Sequence, residues 1–124
     1  MRINVDKTKT MVFGRKMEDN DASIHINGTV LENVESFVYL GSEFTWNNDC
    51  SRDIRRRIQM AIGAYSEIQS IRRDKGIDIG IKIQLLDTCV FEVLLYAAET
   101  WTIKKDDQCR LLACEMRCYC WKSL

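Results

Sequence analysis

The spacing of hydrophobic and polar residues changes near residue 50 and divides the chain into two parts. In the first part, short apolar runs alternate with turn residues, a pattern typical of β-strands. The predicted strands are 9–13, 23–26, 29–31 and 37–40. Asn27-Gly28 stands between two of them and predicts a two-residue hairpin turn, because both of its residues tolerate positive φ. Gly41-Ser42 is predicted to end the last strand.

The second part has the period of helices. One face of the first predicted helix carries Ile54, Ile58, Ala61, Ile62, Tyr65 and Ile68, and the opposite face carries Arg52, Arg55, Arg56 and Gln59. This spacing predicts that the apolar face is buried and that the arginines are in solvent. The charged segment 72–76 is predicted to interrupt the helical pattern.

Two more helices are predicted after this interruption. The second covers about 78–98, and its C-terminal half is apolar on nearly every side, so it needs cover from more than one neighbour. The third begins near Asp106, whose carboxylate suits the positive end of the helix dipole. Its inward residues are predicted to be Leu111, Leu112 and Met116.

Together these elements predict an α+β fold, with a small antiparallel β-hairpin region over 1–45 and a three-helix bundle over 46–124. No apolar run approaches the roughly 18–20 residues of a membrane span, so we expect no membrane partner. Residues 1–4 lack the apolar core of a signal peptide. We therefore expect an intracellular protein, cytoplasmic or nuclear.

Composition changes this picture mainly through the distribution of charge. The 124 residues carry 18 basic and 18 acidic side chains, which excludes a strongly basic nucleic-acid-binding tail. Residues 51–82, however, hold eight basic and four acidic residues, a net charge of +4, whereas 1–50 and 83–124 carry −3 and −1. The first predicted helix is thus the place where a polyanion would bind.

The six cysteines do not follow a known metal pattern. Four of them lie at positions 109, 114, 118 and 120, a spacing that lacks the paired C-x2–4-C knuckles of zinc modules. We expect the cysteines to be reduced and to act as small apolar residues on a helix, with no metal bound.

The sequence contains no recognisable catalytic constellation. Glycine-rich nucleotide motifs are absent, and the single histidine, His25, lies in a predicted strand between two isoleucines without a nucleophile partner. An aspartate pair that holds magnesium normally stands on a hairpin turn, whereas Asp106-Asp107 opens a predicted helix, where the helix dipole explains it better. We therefore predict no catalytic and no metal-binding residues in this chain.

Five segments carry a resemblance when they are taken in order. They are the Asn-x-x-Lys-Thr-x-x-Met pattern over 4–11, the hairpin over 24–32, Tyr39-Leu40-Gly41-Ser42, the Asp-Ile-Arg-Arg-Arg-Ile run over 53–58 and the Leu-Leu-Tyr-Ala-Ala-Glu-Thr-Trp-Thr run over 94–102. This order, which extends over nearly the whole chain, resembles reverse transcriptases of non-LTR (LINE-type) retrotransposons, in the endonuclease-reverse transcriptase lineage. No endonuclease residues are present.

The resemblance implies a part of an RNA-directed DNA polymerase: the palm edge with the primer grip over 1–45, followed by the thumb over 46–124. The family's Tyr/Phe-x-Asp-Asp motif precedes the Lys-Thr strand and is not among these residues. The chain alone is therefore predicted to be inactive, and the magnesium that the full enzyme uses has no expected ligands here. The implied partner is an RNA/DNA primer–template, bound weakly through its backbone without sequence preference.

The resemblance also implies which residues contact that primer–template. They are Lys7, Lys9, Tyr39, Leu40, Gly41, Ser42, Arg52, Arg55 and Arg56. Gly41 suits a primer grip because a residue without Cβ lets the backbone approach the primer end closely.

Other interpretations of these features remain open. The lysines and arginines can be solvated surface charges, and Gly41 can belong to an ordinary turn. The chain can also be a small helical protein-interaction module derived from such an element. The apolar second helix would pack against the missing palm and fingers of such an enzyme, or against a second copy of the chain.

Overall fold

A computed structural model of the chain describes residues 2–15 and 23–119, which form two units, Met1–Cys50 and Ser51–Leu124. Among these residues, all strands lie in the first unit and all α-helices in the second. The predicted α+β class is therefore confirmed. None of the described helices is both long enough and apolar enough to span a membrane.

The first unit is built from a 3₁₀ turn and short paired strands. The turn is Val5–Lys7, and the strands are β1 (Lys9–Thr10), β2 (His25–Ile26), β3 (Thr29–Val30), β4 (Glu32–Asn33), β5 (Ser36–Tyr39) and β6 (Ser42–Thr45). The pairs β2–β3 and β5–β6 are antiparallel, as predicted, but β1 pairs with β4 in parallel. The parallel pair was not predicted, because alternation along a strand indicates its faces and not its partner.

The strand predicted over 9–13 is shorter in the structure. Its ladder is limited to Lys9 and Thr10, because the parallel partner β4 supplies only two residues. The hydroxyl of Thr10 donates to the side-chain oxygen of Asn33. The main-chain carbonyl of Thr10 accepts from the amide of Val34 at 2.9 Å. Side-chain and main-chain bonds therefore fasten the end of this short pair.

Both antiparallel hairpins turn through two residues with positive φ. Asn27 and Gly28 have φ values of 51° and 79°, which confirms the predicted turn. Leu40 and Gly41 make the same turn, at 48° and 84°, between β5 and β6. The run 37–40 does end at this turn, as predicted, but Ser42 also begins a further strand, β6, which the sequence did not predict. Of the two turn residues, only Gly41 is of a type that favours such a turn, since leucine rarely adopts positive φ.

The second unit consists of helices joined by short connections. They are α1 (Ser51–Glu67), α2 (Gln69–Arg73), α3 (Ile79–Leu85), a π-helical stretch (Leu86–Phe91), α4 (Glu92–Leu95), a 3₁₀ turn (Ala98–Thr100) and α5 (Lys105–Tyr119). The stretch from α3 to α4 is one continuous helical path, which begins at the Asp78 cap, where the carboxylate accepts from the amide of Gly80. This path and the helices α1 and α5 are the three helices that the sequence predicts.

The core of the second unit lies where these three helices meet. Its buried residues are Ala61, Ile68, Leu86, Val90, Leu94, Cys114 and Cys118. Of the predicted inward residues of α5, Leu111 packs against the core, but Leu112 and Met116 were wrong: they are 52% and 58% exposed, whereas Cys114 and Cys118 are 6% and 3% exposed. The inward face of α5 also contains the fully buried carboxylate of Asp107. Because this residue is charged, the hydrophobic pattern of the sequence does not indicate the inward face.

Helix α2 ends at Arg73, so the rest of the charged segment 72–76 interrupts the helical pattern as predicted. Arg72 of this helix is fully buried. The guanidinium lies 4.3 Å from the centre of the Tyr65 ring and donates to the carbonyl of Cys118 at 3.0 Å. This arginine therefore joins α1, α2 and α5 instead of pointing into solvent.

Candidate nucleic-acid interface

The primer-grip-like segment forms the tip of the β5–β6 hairpin. Tyr39 and Leu40 are exposed, Leu40 to 74%, and Gly41 is half-buried beside them. Ser42 is only 5% exposed, so its side chain is not available to a ligand in this structure. The tip thus presents an aromatic and an aliphatic side chain on a tight turn, a surface suited to stacking and apolar contact.

The two lysines of the first unit are in different surroundings. Lys7 is exposed at the end of the 3₁₀ turn. Lys9 lies on β1, where its Nζ is 3.4 Å from a carboxylate oxygen of Glu32 on the paired strand β4. A phosphate at Lys9 would therefore compete with an internal carboxylate.

The three predicted arginines of α1 follow one another at helical spacing, and the structure places them on the outer side of the helix. Arg52 and Arg55 are exposed. Arg56 is half-buried, and its guanidinium lies 3.5 Å from the carboxylate of Asp53. The positions i, i+3 and i+4 share one face, so the three charges can meet one stretch of nucleic-acid backbone.

The next residue along, Arg57, has a structural position. It is buried, with NH1 donating to the carbonyl of Val93 at 3.3 Å and the guanidinium 4.8 Å from the Tyr96 ring centre. Nearby, the indole Nε1 of Trp101 donates to the buried carboxylate of Asp53 at 2.8 Å. The two thumb-like motifs of the sequence, 53–58 and 94–102, are therefore bonded to each other.

A groove between α1 and α5 brings further arginines to this side of the helix. It has a volume of about 420 Å³ and is lined by Arg55, Ile58, Gln59, Ile62, Arg110, Ala113, Cys114 and Arg117. We name it the arginine groove, because three of its lining residues are arginines, although its lining is mostly apolar. Sequence reasoning missed Arg110 and Arg117, which share a side of α5 at i and i+7. This spacing indicates a shared groove only when the inward face of α5 is known.

The charges in the arginine groove are only partly neutralised. Arg110 forms an ion pair with Asp107 at 2.8 Å. In the part of the chain that the structure describes, neither Arg55 nor Arg117 forms an ion pair with a carboxylate. Two positive charges therefore line a mostly apolar groove without internal compensation, which is the electrostatic condition for binding an anion.

The acidic pair Asp106-Asp107 lies in the first turn of α5, as predicted. Asp107 is fully buried, with one carboxylate oxygen accepting from the hydroxyl of Ser51 at 2.5 Å and the other from Arg110 at 2.8 Å. Both oxygens are thus engaged in joining α1 and α5. A search of the described residues finds no cluster of three or more side chains that could hold a metal ion.

Comparison with known proteins gives one similarity. The chain aligns with a Caenorhabditis elegans protein described as an uncharacterized transposon-derived protein, with 28% identity over 109 residues. The alignment covers 85% of this chain and 38% of that relative's length. This similarity supports a transposon origin for the chain. No protein-family profile and no solved structure matches it.

Proposed function

We propose that this chain is the primer-grip and thumb part of a transposon-encoded, non-LTR-type RNA-directed DNA polymerase. In this proposal, the second unit binds the sugar–phosphate backbone of a primer–template without reading its sequence. The chain itself supplies no catalytic aspartates, and the magnesium of the complete polymerase is held elsewhere. The similarity to a transposon-derived protein and the ordered motifs support this assignment.

The observation that carries the proposal is the arrangement of cations on α1 and α5. Arg52 and Arg55 are exposed on α1, and Arg55 shares the arginine groove with Arg117 of α5. Arginine side chains on a helix neutralise phosphates and position a protein on a duplex, without base contacts. The bond between Trp101 and Asp53 fixes the N-terminal turn of α1, where these arginines begin.

Fluorescence anisotropy with a labelled RNA/DNA primer–template across a salt series tests this proposal. Three or four phosphate contacts predict a slope of about −3 in a log–log plot, with a dissociation constant of about 10⁻⁴ M at physiological salt. The triple variant Arg52/Arg55/Arg56→Gln is expected to bind more weakly and to flatten the slope to about −1 or shallower, because Arg117 of the groove remains. Arg73→Gln is the control, because Arg73 is also exposed but lies on α2.

Two results would contradict the proposal. One is a triple variant that keeps both the affinity and the slope of the wild type, because the arginines would then be merely solvated. The other is a loss in Arg73→Gln of about one third of the loss in the triple variant, since removing one charge instead of three would then explain it, and the effect would be one of net charge and not of a defined face.

A second candidate function is supported by a different observation. Exposed apolar residues, among them Leu95 and Leu112, line another groove on the opposite side of α5. Exposed apolar grooves are typical of surfaces that bind another protein. If duplex binding fails, a small helical protein-interaction module derived from a transposon becomes the better assignment.

A further inference from the structure

Cys114 occupies a special position among the cysteines that the structure describes. It is 6% exposed, and it lines the arginine groove together with Arg55, Arg110 and Arg117. The other described cysteines do not line this groove: they are Cys50, Cys89, Cys109 and Cys118. All of them are free thiols. The groove thus combines a nucleophilic side chain with an excess of positive charge.

The surroundings of Cys114 favour the reactive, ionised form of its side chain. A hydrogen bond from Cys118, one turn further along α5, lowers the pKa of the Cys114 thiol from 9.0 to about 7. Burial opposes this effect, and the positive charge of Arg117 adds to it. The pKa of Cys118 is raised, chiefly because its thiol is the donor in that bond. These surroundings therefore favour the thiolate form of Cys114.

Positively charged groups from the neighbouring elements line or adjoin this groove. From α1, Arg55 lines the groove, and from α5 come Arg110 and Arg117. Arg72 of α2 donates to the carbonyl of Cys118. Of the carboxylates on α5, Glu115 follows Cys114 directly in the chain, and Asp107 is engaged by Ser51 and Arg110. A small anion entering the groove thus meets a surplus of guanidinium groups.

We propose that Cys114 is a thiol-modification site for negatively charged disulfides of low molecular weight, which the arginine groove attracts and positions. The groove volume of about 420 Å³ lies within the range of small-molecule pockets. This proposal does not depend on the polymerase assignment, because its measurement involves no nucleic acid.

The chemistry is ordinary thiol–disulfide exchange. Cys114 first loses its proton to solvent, and its thiolate then attacks one sulfur of the disulfide. A new S–S bond forms at Cys114 Sγ while the reagent's own S–S bond breaks, and the departing half leaves as a thiolate with the bonding electron pair. Cys114 is oxidised and the reagent disulfide is reduced, so no further oxidant is required.

The test compares two disulfides of similar size on the complete chain. One is dithiobis(nitrobenzoate), which is doubly negative, and the other is dithiodipyridine, which is neutral. Both release a coloured thiol, so stopped-flow absorbance gives the rates, and peptide mass spectrometry locates the adduct. We expect the fastest phase with the anionic reagent to label Cys114 and to reach half of its limiting rate near pH 7, because thiolate accumulates as pH rises through the pKa.

Two substitutions with one control complete the experiment. Cys114→Ser should abolish the fast phase, whereas Cys109→Ser, which removes an exposed thiol of the same helix, should retain it. Arg117→Gln keeps the thiol and changes only an exposed position, and it should slow the anionic reagent about tenfold more than the neutral one.

The proposal is overturned if the fast adduct maps to another cysteine, or if Arg117→Gln slows both reagents equally. Because Arg117→Gln does not alter the core, this second arm remains decisive even where Cys114→Ser fails to fold.

Discussion

Several charged residues are among the most buried side chains of the second unit. Arg57, Arg72, Asp53 and Asp107 are all nearly inaccessible to solvent. Each has a specific partner: an aromatic ring for each arginine, an indole for Asp53, and a hydroxyl with a guanidinium for Asp107. Patterns of hydrophobicity place charged residues outside, and individual pairings of this kind leave no periodic signal, so they could not be predicted from the sequence.

Arg72→Ala is expected to destabilise the second unit strongly. The change removes the contact with Tyr65, leaves the Cys118 carbonyl without its donor and opens a cavity in the core. Together these effects correspond to about 3 kcal/mol. Urea denaturation followed by circular dichroism measures the loss. Arg73→Ala on the same helix is exposed and should change the free energy of unfolding by about 0.5 kcal/mol or less. Equal losses in the two variants would refute the structural position of Arg72.

At the level of elements, the sequence predicts the strands, turns and helices that have a local sequence pattern of their own. Asn27-Gly28 has the composition of a hairpin turn, and the first helix has a regular apolar face, and both occur in the structure. The parallel pairing of β1 with β4 was not predictable, because nothing local indicates a partner more than twenty residues away. The turn at Leu40 has weak turn chemistry, and only the structure revealed it.

The end of the helical path through α4 offers a test of backbone strain. Ala97 follows it with a φ of 61°, a left-handed conformation that glycine adopts at lower cost. Ala97→Gly should therefore stabilise the chain by about 0.5–1 kcal/mol. The control Ala98→Gly lies in the following 3₁₀ turn with ordinary backbone angles and should destabilise it by a similar amount. Thermal unfolding of both variants measures the effects, and the same sign for both would disprove the interpretation.

At the scale of the whole molecule, the candidate site combines a predictable half and an unpredictable half. The arginines of α1 follow from sequence alone, because helical spacing and local net charge select them. Arg110 and Arg117 become part of the site only through the packing of α5 on α1. That packing depends on the buried stripe of Asp107, Cys114 and Cys118, which mixes charge with small apolar residues. A helix face can thus be predicted more readily than a groove between two helices.

The same packing determines which apolar residues remain exposed, and hence how the chain associates. The C-terminal half of the second predicted helix was expected to need cover from more than one neighbour, and Leu94 is buried in the core with residues of α1 and α5. Leu95 and Leu112 instead line the second groove, of about 380 Å³, and each of them remains about half exposed. Because two exposed apolar residues lie in one groove, contact of this groove with a second copy of the chain is favourable.

We therefore expect the isolated chain to self-associate reversibly. Its sedimentation coefficient and its melting temperature should both rise with protein concentration over about a hundredfold range, because association stabilises the folded state by mass action. Leu112→Lys should abolish both dependences. Ile81→Lys is the matched control, since Ile81 is equally exposed but lies on α3 outside the groove, and it should retain them. A wild-type chain that stays monomeric with a sharp, concentration-independent melt would show that Leu95 and Leu112 tolerate water, and association through this groove would then be rejected.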